Sequence, residues 1–205
     1  MIKSPRKPSL RESIKALDFC DILGKKQTIL AGNRIVFLDA DYDEDTESPN
    51  DHGCGEIRSF NNRHMSFITP EELYEILEET PKRVLPLDYY EHSACRWSLA
   101  GEGYQCQWDT SNHAGVYIAP EGEEADEAQA RSYCEEYSNW CNGYIYWFGL
   151  RGYPVLKDTR GNVITDPAHY QKFGTPDFED SCGGFDDLEY MQTEVLNFLP
   201  KEKAR

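Results

Sequence analysis

Thr28-Ile29-Leu30-Ala31-Gly32-Asn33-Arg34-Ile35-Val36-Phe37-Leu38-Asp39 is the stretch on which the fold turns. Two apolar runs flank Gly32-Asn33, a pair that tolerates the positive φ of a tight turn, so the chain doubles back and its strands lie antiparallel. The unbroken run Ile35 to Leu38 predicts a well-buried second strand, ended by Asp39. Further β-prone runs stand at Val84 to Tyr90, Gly115 to Ala119 and Tyr144 to Phe148, and Asp158-Thr159-Arg160-Gly161-Asn162 predicts a hairpin into Val163-Ile164.

Three segments have helical signals. Thr69 is an N-cap, Pro70 suits the first helical position, Glu72 completes a capping box, and Leu73, Ile76 and Leu77 share a face that Thr80-Pro81 ends. A helix over 123–142 places Ala130, Cys134, Tyr137 and Cys141 on one side, with Gly143 as its stop. Asp186 opens the last, with Glu189 three residues on and Leu188, Met191, Val195 and Leu199 along its face. The stretches 39–56 and 91–112 show no periodicity and read as irregular. Strands and helices mix without a βαβ repeat, which predicts an α+β fold: a mixed or mainly antiparallel sheet with about three helices packed on it. A chain of 205 residues fits one domain over 17–200, preceded by a mobile basic arm over 1–16 and followed by a basic tail over 201–205.

The net charge is −16. Residues 1–15 hold five basic side chains against Glu12, and the last five residues add a surplus of two, so 16–200 carry −22. Such a body repels phosphate backbones, which argues against direct nucleic-acid binding and favours either a basic partner surface or simple solubility. The seven cysteines are odd in number and include no CxxC pair, which predicts reduced thiols in a cytoplasm. No signal peptide and no membrane span are expected, so no membrane partner is.

Several motifs stand in order along the chain: Leu85-Pro86-Leu87-Asp88-Tyr89-Tyr90-Glu91-His92-Ser93, then Cys106-Gln107-Trp108-Asp109 with Gly115-Val116-Tyr117-Ile118. Glu135-Glu136-Tyr137, Gly143-Tyr144-Ile145-Tyr146 and Asp180-Ser181-Cys182-Gly183-Gly184-Phe185 follow. In these ordered pieces the chain resembles a widespread family of uncharacterised phage and mobile-element proteins, with Gly183 where relatives often have Trp. The resemblance covers roughly 34–190 and implies a phage or mobile-element origin, hence a host-cell cytoplasm, without implying an activity. By analogy with other small acidic phage proteins, it suggests an inhibitor of a host or anti-phage defence protein.

Chemistry-bearing patterns are incomplete. Asp39-Ala40-Asp41 after an apolar strand resembles the opening of haloacid-dehalogenase-type phosphatases, which implies Asp39 as nucleophile and Asp41 as acid/base beside Mg²⁺. Asp43 stands where that family has Thr or Val, no later Lys completes the set, and Asp186-Asp187 is the nearest match to its metal-binding acids. Read as a calcium loop, Asp39, Asp41, Asp43 and Asp45 fit, but Glu44 replaces the turn glycine and Asn50 the bidentate glutamate, so an EF-hand is rejected. His52, Cys54 and His64, or His92, Cys95 and Cys106, offer zinc-type donors without finger spacing. His92, Ser93, Cys106, Asp109 and His113 supply base, nucleophile and carboxylate types; they serve equally as loop hydrogen-bonders, with Trp108-Asp109 plugging the core and capping a turn.

The sequence thus predicts an acidic interaction protein that occupies a basic surface of a host or defence protein, in one form as a nucleic-acid mimic. Its binding residues would be Asp41, Asp43, Glu44, Asp45 and Glu47 with the helix face Glu71, Glu75 and Glu78. The alternatives are a divalent-metal-dependent phosphohydrolase or other hydrolase, and a nucleotide-messenger sponge. The sponge would use an aromatic pocket of Trp97, Trp108, Tyr144 and Trp147, with Arg58, Arg63, Arg83 or Arg96 converging on the anion. No cofactor is predicted; the nearest patterns would take Mg²⁺ or Zn²⁺.

Overall fold

The computed structural model describes residues 8–200. It is α+β, with two antiparallel four-stranded sheets and, among the described residues, six α-helices. The basic tail over 201–205 and the first seven residues of the basic arm lie outside the described residues. The rest of the arm contains a short helix, α1 (Leu10–Lys15), closed by a capping box between Ser9 and Glu12.

Where a single domain over 17–200 was expected, the chain forms two compact units: residues 1–44 with 145–205, and residues 45–144 inserted between them in sequence. The physical reason is visible in the apolar patterning. The strands buried on the two sides of residue 45 pair within separate sheets, and each sheet covers its faces with its own helices.

In the first unit, β1 (Gln27–Ala31) and β2 (Arg34–Tyr42) form the hairpin expected around Gly32. Gly32 has φ +63°, the left-handed conformation such a turn requires. The strand does not end at Asp39: β2 continues to Tyr42 because β7 (Tyr146–Pro154) pairs with its whole length, Tyr42 opposite Tyr146. β8 (Phe178–Phe185) adds an edge, giving the order β1-β2-β7-β8. Val36, Leu38 and Ala40 face α1, α2 (Phe19–Ile22) and α6 (Leu188–Phe198), packing on Phe148, Leu150, Met191 and Val195. The alternate residues Ile35 and Phe37 meet Tyr153 and Tyr170 of α5 (Pro167–Phe173) on the opposite face.

In the second unit the order is β3-β6-β4-β5: β3 (Glu56–Ser59), β6 (Thr110–Ile118), β4 (Val84–His92) and β5 (Ala94–Leu99). β5 falls within 91–112, which the sequence presented as irregular. Trp97 and Leu99 point inward from it and Arg96 outward, an alternation too short to register among the surrounding glycines and cysteines. Helix α4 (Glu127–Cys141) lays Ala130, Tyr133, Cys134 and Tyr137 over Ile57, Leu87, Trp97 and Tyr117. Helix α3 (Pro70–Glu79), capped as expected by Thr69 and Glu72, brings Leu73 and Ile76 to Ile68, Val116 and Ile118. Val116 and Ile118 alternate with Tyr117 along β6, so α3 and α4 cover opposite faces of this sheet. At Gly115 a side chain would press on the Arg58 carbonyl at 2.4 Å and on Trp97, so the bare backbone lets the tryptophan close down on β6.

Candidate functional site

The motif residues of the second unit gather at one end of its sheet, around the buried carboxylate of Asp88 on β4. Only 3% exposed, it accepts from the Gly101 and His113 N–H groups, at 2.8 Å each, and from the Gln105 amide at 3.4 Å. Burial pushes the Asp88 carboxyl up, but the two backbone donors, the Gln105 amide and the nearby His113 more than offset it and hold it below the ordinary aspartate range. Asp88 therefore fixes the 100–105 loop and the turn at His113, whose φ of +50° is left-handed. The sequence motif contained this residue, yet nothing in its spacing marked it as the keystone.

Ser93 is the apex of the β4–β5 hairpin, at φ +64°, with His92 paired to Ala94 across the turn. Its hydroxyl donates to the His92 carbonyl, so Ser93 is turn chemistry and not a poised nucleophile. Cys106, Asp109 and His92 do converge. The Cys106 thiol donates to Asp109 Oδ2 at 3.3 Å, and His92 Nδ1 lies 3.3 Å from the same oxygen. The order is thiol, carboxylate, imidazole. A nucleophile relay needs the imidazole beside the thiol and the carboxylate behind it, so His92 has no direct path to the Cys106 proton. Trp108 does not plug the core; it is 86% exposed at the loop tip because Cys106 and Thr110 close the turn by backbone bonds beneath it. Tyr104 also stands exposed nearby, its ring tilted against Tyr90 at 5.2 Å with the Arg96 guanidinium over it.

A second feature is a cavity of about 570 Å³ between β5 and the C-terminal end of α4. Its wall includes His64, Tyr89, Trp97, Tyr137 and Trp140, with Cys95 and Cys141 at one side. His64 is held by Ser59 Oγ at 2.9 Å and packs edge-on against Tyr89 and Trp97.

In the first unit, Asp39 and Asp41 are inside a strand that is antiparallel on both sides, not in a loop beyond the strand end where a phosphatase pair would sit. Asp39 faces Lys26 at 3.6 Å in a cavity that also holds Arg151, Glu179 and Asp180, while Asp41 accepts from the Tyr42 N–H. Asp187 caps α6 through the Tyr190 N–H, a helix-start role and not the metal-ligand role considered for Asp186-Asp187. Among the described residues no three His, Cys, Asp or Glu side chains converge to hold a metal ion. Of the aromatic residues considered for a nucleotide pocket, Trp97 is in the core of the second unit, Trp108 is in solvent, and Trp147 lies on β7 of the first unit. Arg83 is bound to the Ala119 carbonyl and Arg58 to Glu56 and the Phe67 carbonyl, so neither is free for an anion.

The acidic candidates divide. Asp41, Asp43 and Glu44 belong to the first unit, where Asp43 accepts from the Gly184 N–H at 3.0 Å. Asp45 and Glu47 flank Thr46, whose carbonyl accepts from Trp140 on the α4 side, whereas Glu71, Glu75 and Glu78 project from α3 on the opposite face of the sheet. Asp45 and Glu47 therefore do not make one patch with α3. On α3 itself Glu71, Glu72, Glu75, Glu78 and Glu79 are all exposed. They fall within about a third of the helix circumference, on the side turned away from Leu73, over about 12 Å of axis. Among the described residues none of them is in a salt bridge, while the acids near α4 are partly neutralised, Glu102 and Glu127 by Arg131 and Glu124 by Lys82.

Among the described residues no helix is long and apolar enough to cross a membrane. Comparisons with protein families, with curated proteins and with solved structures find no match.

Proposed function

We propose that this chain is a binding protein that acts by occupying a basic surface of another protein, with the 45–144 unit as its docking body. The observation that carries the proposal is where the charge sits: residues 45–144 hold twenty acidic against six basic side chains, a net −14 of the chain's −16. The glutamate face of α3, with no salt bridge among the described residues, is the densest part of it, and a negative field of that kind steers and orients a cationic partner. The exposed Trp108 and Tyr104 supply aromatic groups of the type that dominate interface energetics.

The resemblance to phage and mobile-element proteins makes a host or anti-phage defence protein the partner to look for. A duplex mimic requires a second row of acids parallel to the first. The α4 acids lie on the other face of the sheet, so a basic protein surface fits α3 better than a DNA-binding cleft does. Hydrolase readings draw no support from the thiol–carboxylate–imidazole order. The test compares wild type with the variant Glu71→Gln/Glu75→Gln/Glu78→Gln in pull-downs from bacterial lysate. The expected result is capture of a basic protein that elutes as salt rises and is lost with the variant. Equal capture by both proteins would remove the docking face.

A further inference from the structure

Cys95 and Cys141 both line the second unit's cavity, one on β5 and one at the last residue of α4. The side chain of Asn142, next to Cys141, grips the Cys95 backbone: its Oδ1 accepts from the Cys95 N–H and its Nδ2 donates to the Cys95 carbonyl, both at 2.8 Å. This brings the two thiols near enough to interact. Cys141 is exposed at the rim and Cys95 half-buried behind it, so a small reagent reaches the pair through the cavity mouth.

We propose that Cys95 and Cys141 form a reactive dithiol that exchanges with small disulfides, Cys95 as the attacking sulfur and Cys141 as the resolving one. The proton inventory agrees with these roles. The hydrogen bond donated by Cys141 lowers the Cys95 thiol below the ordinary range against the opposing effects of burial and Glu91, with the Tyr89 hydroxyl helping. The same bond, with burial and the charge on Cys95, pushes Cys141 up, and Tyr137 relieves this only in part. The thiolate therefore forms on Cys95. It attacks one sulfur of a disulfide such as oxidised glutathione, making a mixed disulfide and expelling one thiolate. Cys141 then gives up its proton and attacks the Cys95 sulfur, expelling the second thiol. Two protein thiols become one disulfide and the small disulfide becomes two thiols, so electrons and protons balance. The product staples β5 to the end of α4 across the cavity wall.

The other cysteines lack this arrangement. Cys134 is buried, which pushes its thiol up to about 12, and Cys106 donates to Asp109. The Cys54 and Cys182 thiols donate to the backbone carbonyls of His52 and Gly183.

The experiment treats the reduced full chain with oxidised glutathione, digests it without reductant and sequences the linked peptides by mass spectrometry. The expected product is a Cys95–Cys141 bridge. Cys141→Ser should instead retain glutathione on Cys95, and Cys95→Ser should form no bridge. With wild type alone, which makes the test independent of variant folding, iodoacetamide at neutral pH should label Cys95 about tenfold faster than Cys20 or Cys182. A bridge between other cysteines, adducts spread evenly over the exposed thiols, or Cys95 labelling no faster than Cys20 would overturn the proposal. None of these outcomes bears on the docking face of α3.

Discussion

At Asp88, one side chain satisfies two backbone donors that have no other partner once the 100–105 loop and the His113 turn fold over it. Removing it as Asp88→Ala takes the charged acceptor from these two part-buried N–H groups, so urea unfolding should show a loss of about 1–3 kcal/mol. The pH dependence has a definite sign. The folded carboxyl titrates below its unfolded value near about 3.9, so the unfolded chain takes up the proton first. Its contribution is complete above that unfolded value and drains away as pH falls through the lower folded one. The stability gap between wild type and Asp88→Asn should therefore narrow in acid; a gap that widens there would contradict the assignment. Ser93 offers a complementary check. Its left-handed φ of +64° is one that glycine adopts freely, so Ser93→Gly should leave thermal stability unchanged or raise it, by up to about 1 kcal/mol. A catalytic serine carries no such expectation.

The elements that were legible in the sequence are those whose signal is local. Thr69-Pro70-Glu71-Glu72 describes a helix start completely, and the structure closes that capping box with both bonds in place. Thr69→Ala should lower stability by about 1 kcal/mol, measured by chemical denaturation. The β1–β2 hairpin was legible for the same reason, because Gly32-Asn33 sits between two apolar runs. β8 was not: Phe178-Glu179-Asp180-Ser181-Cys182-Gly183-Gly184-Phe185 is a nearly all-exposed edge, and its strand character comes from pairing with β7. β2 outran its expected end at Asp39 because β7 extends alongside it, a non-local cause that no window of sequence contains. Helix α5 was missed although Asp166-Pro167 carries a cap and a first-turn proline, since seven residues give too little periodicity to detect.

For the whole molecule, the sequence supplied the amount of negative charge but not its placement. Ser93, His92, Cys106 and Asp109 were nameable from their motifs, whereas the order in which they touch and the Cys95–Asn142 clamp depend on strand pairing across long separations. The acids seemed in sequence to form one group around Asp41 to Glu47 and α3, and the sheet of the second unit puts the 45–47 segment and α3 on opposite faces. What is left on α3 is a single row of glutamates without salt bridges among the described residues, and it is the basis of the docking proposal. Amide hydrogen exchange on the chain bound to its captured partner tests that proposal most directly. The account predicts slowed exchange over Pro70–Glu79 that disappears as salt is raised. Protection confined to the Cys95–Cys141 cavity or to the Asp39 face of β2, with α3 unchanged, would contradict it.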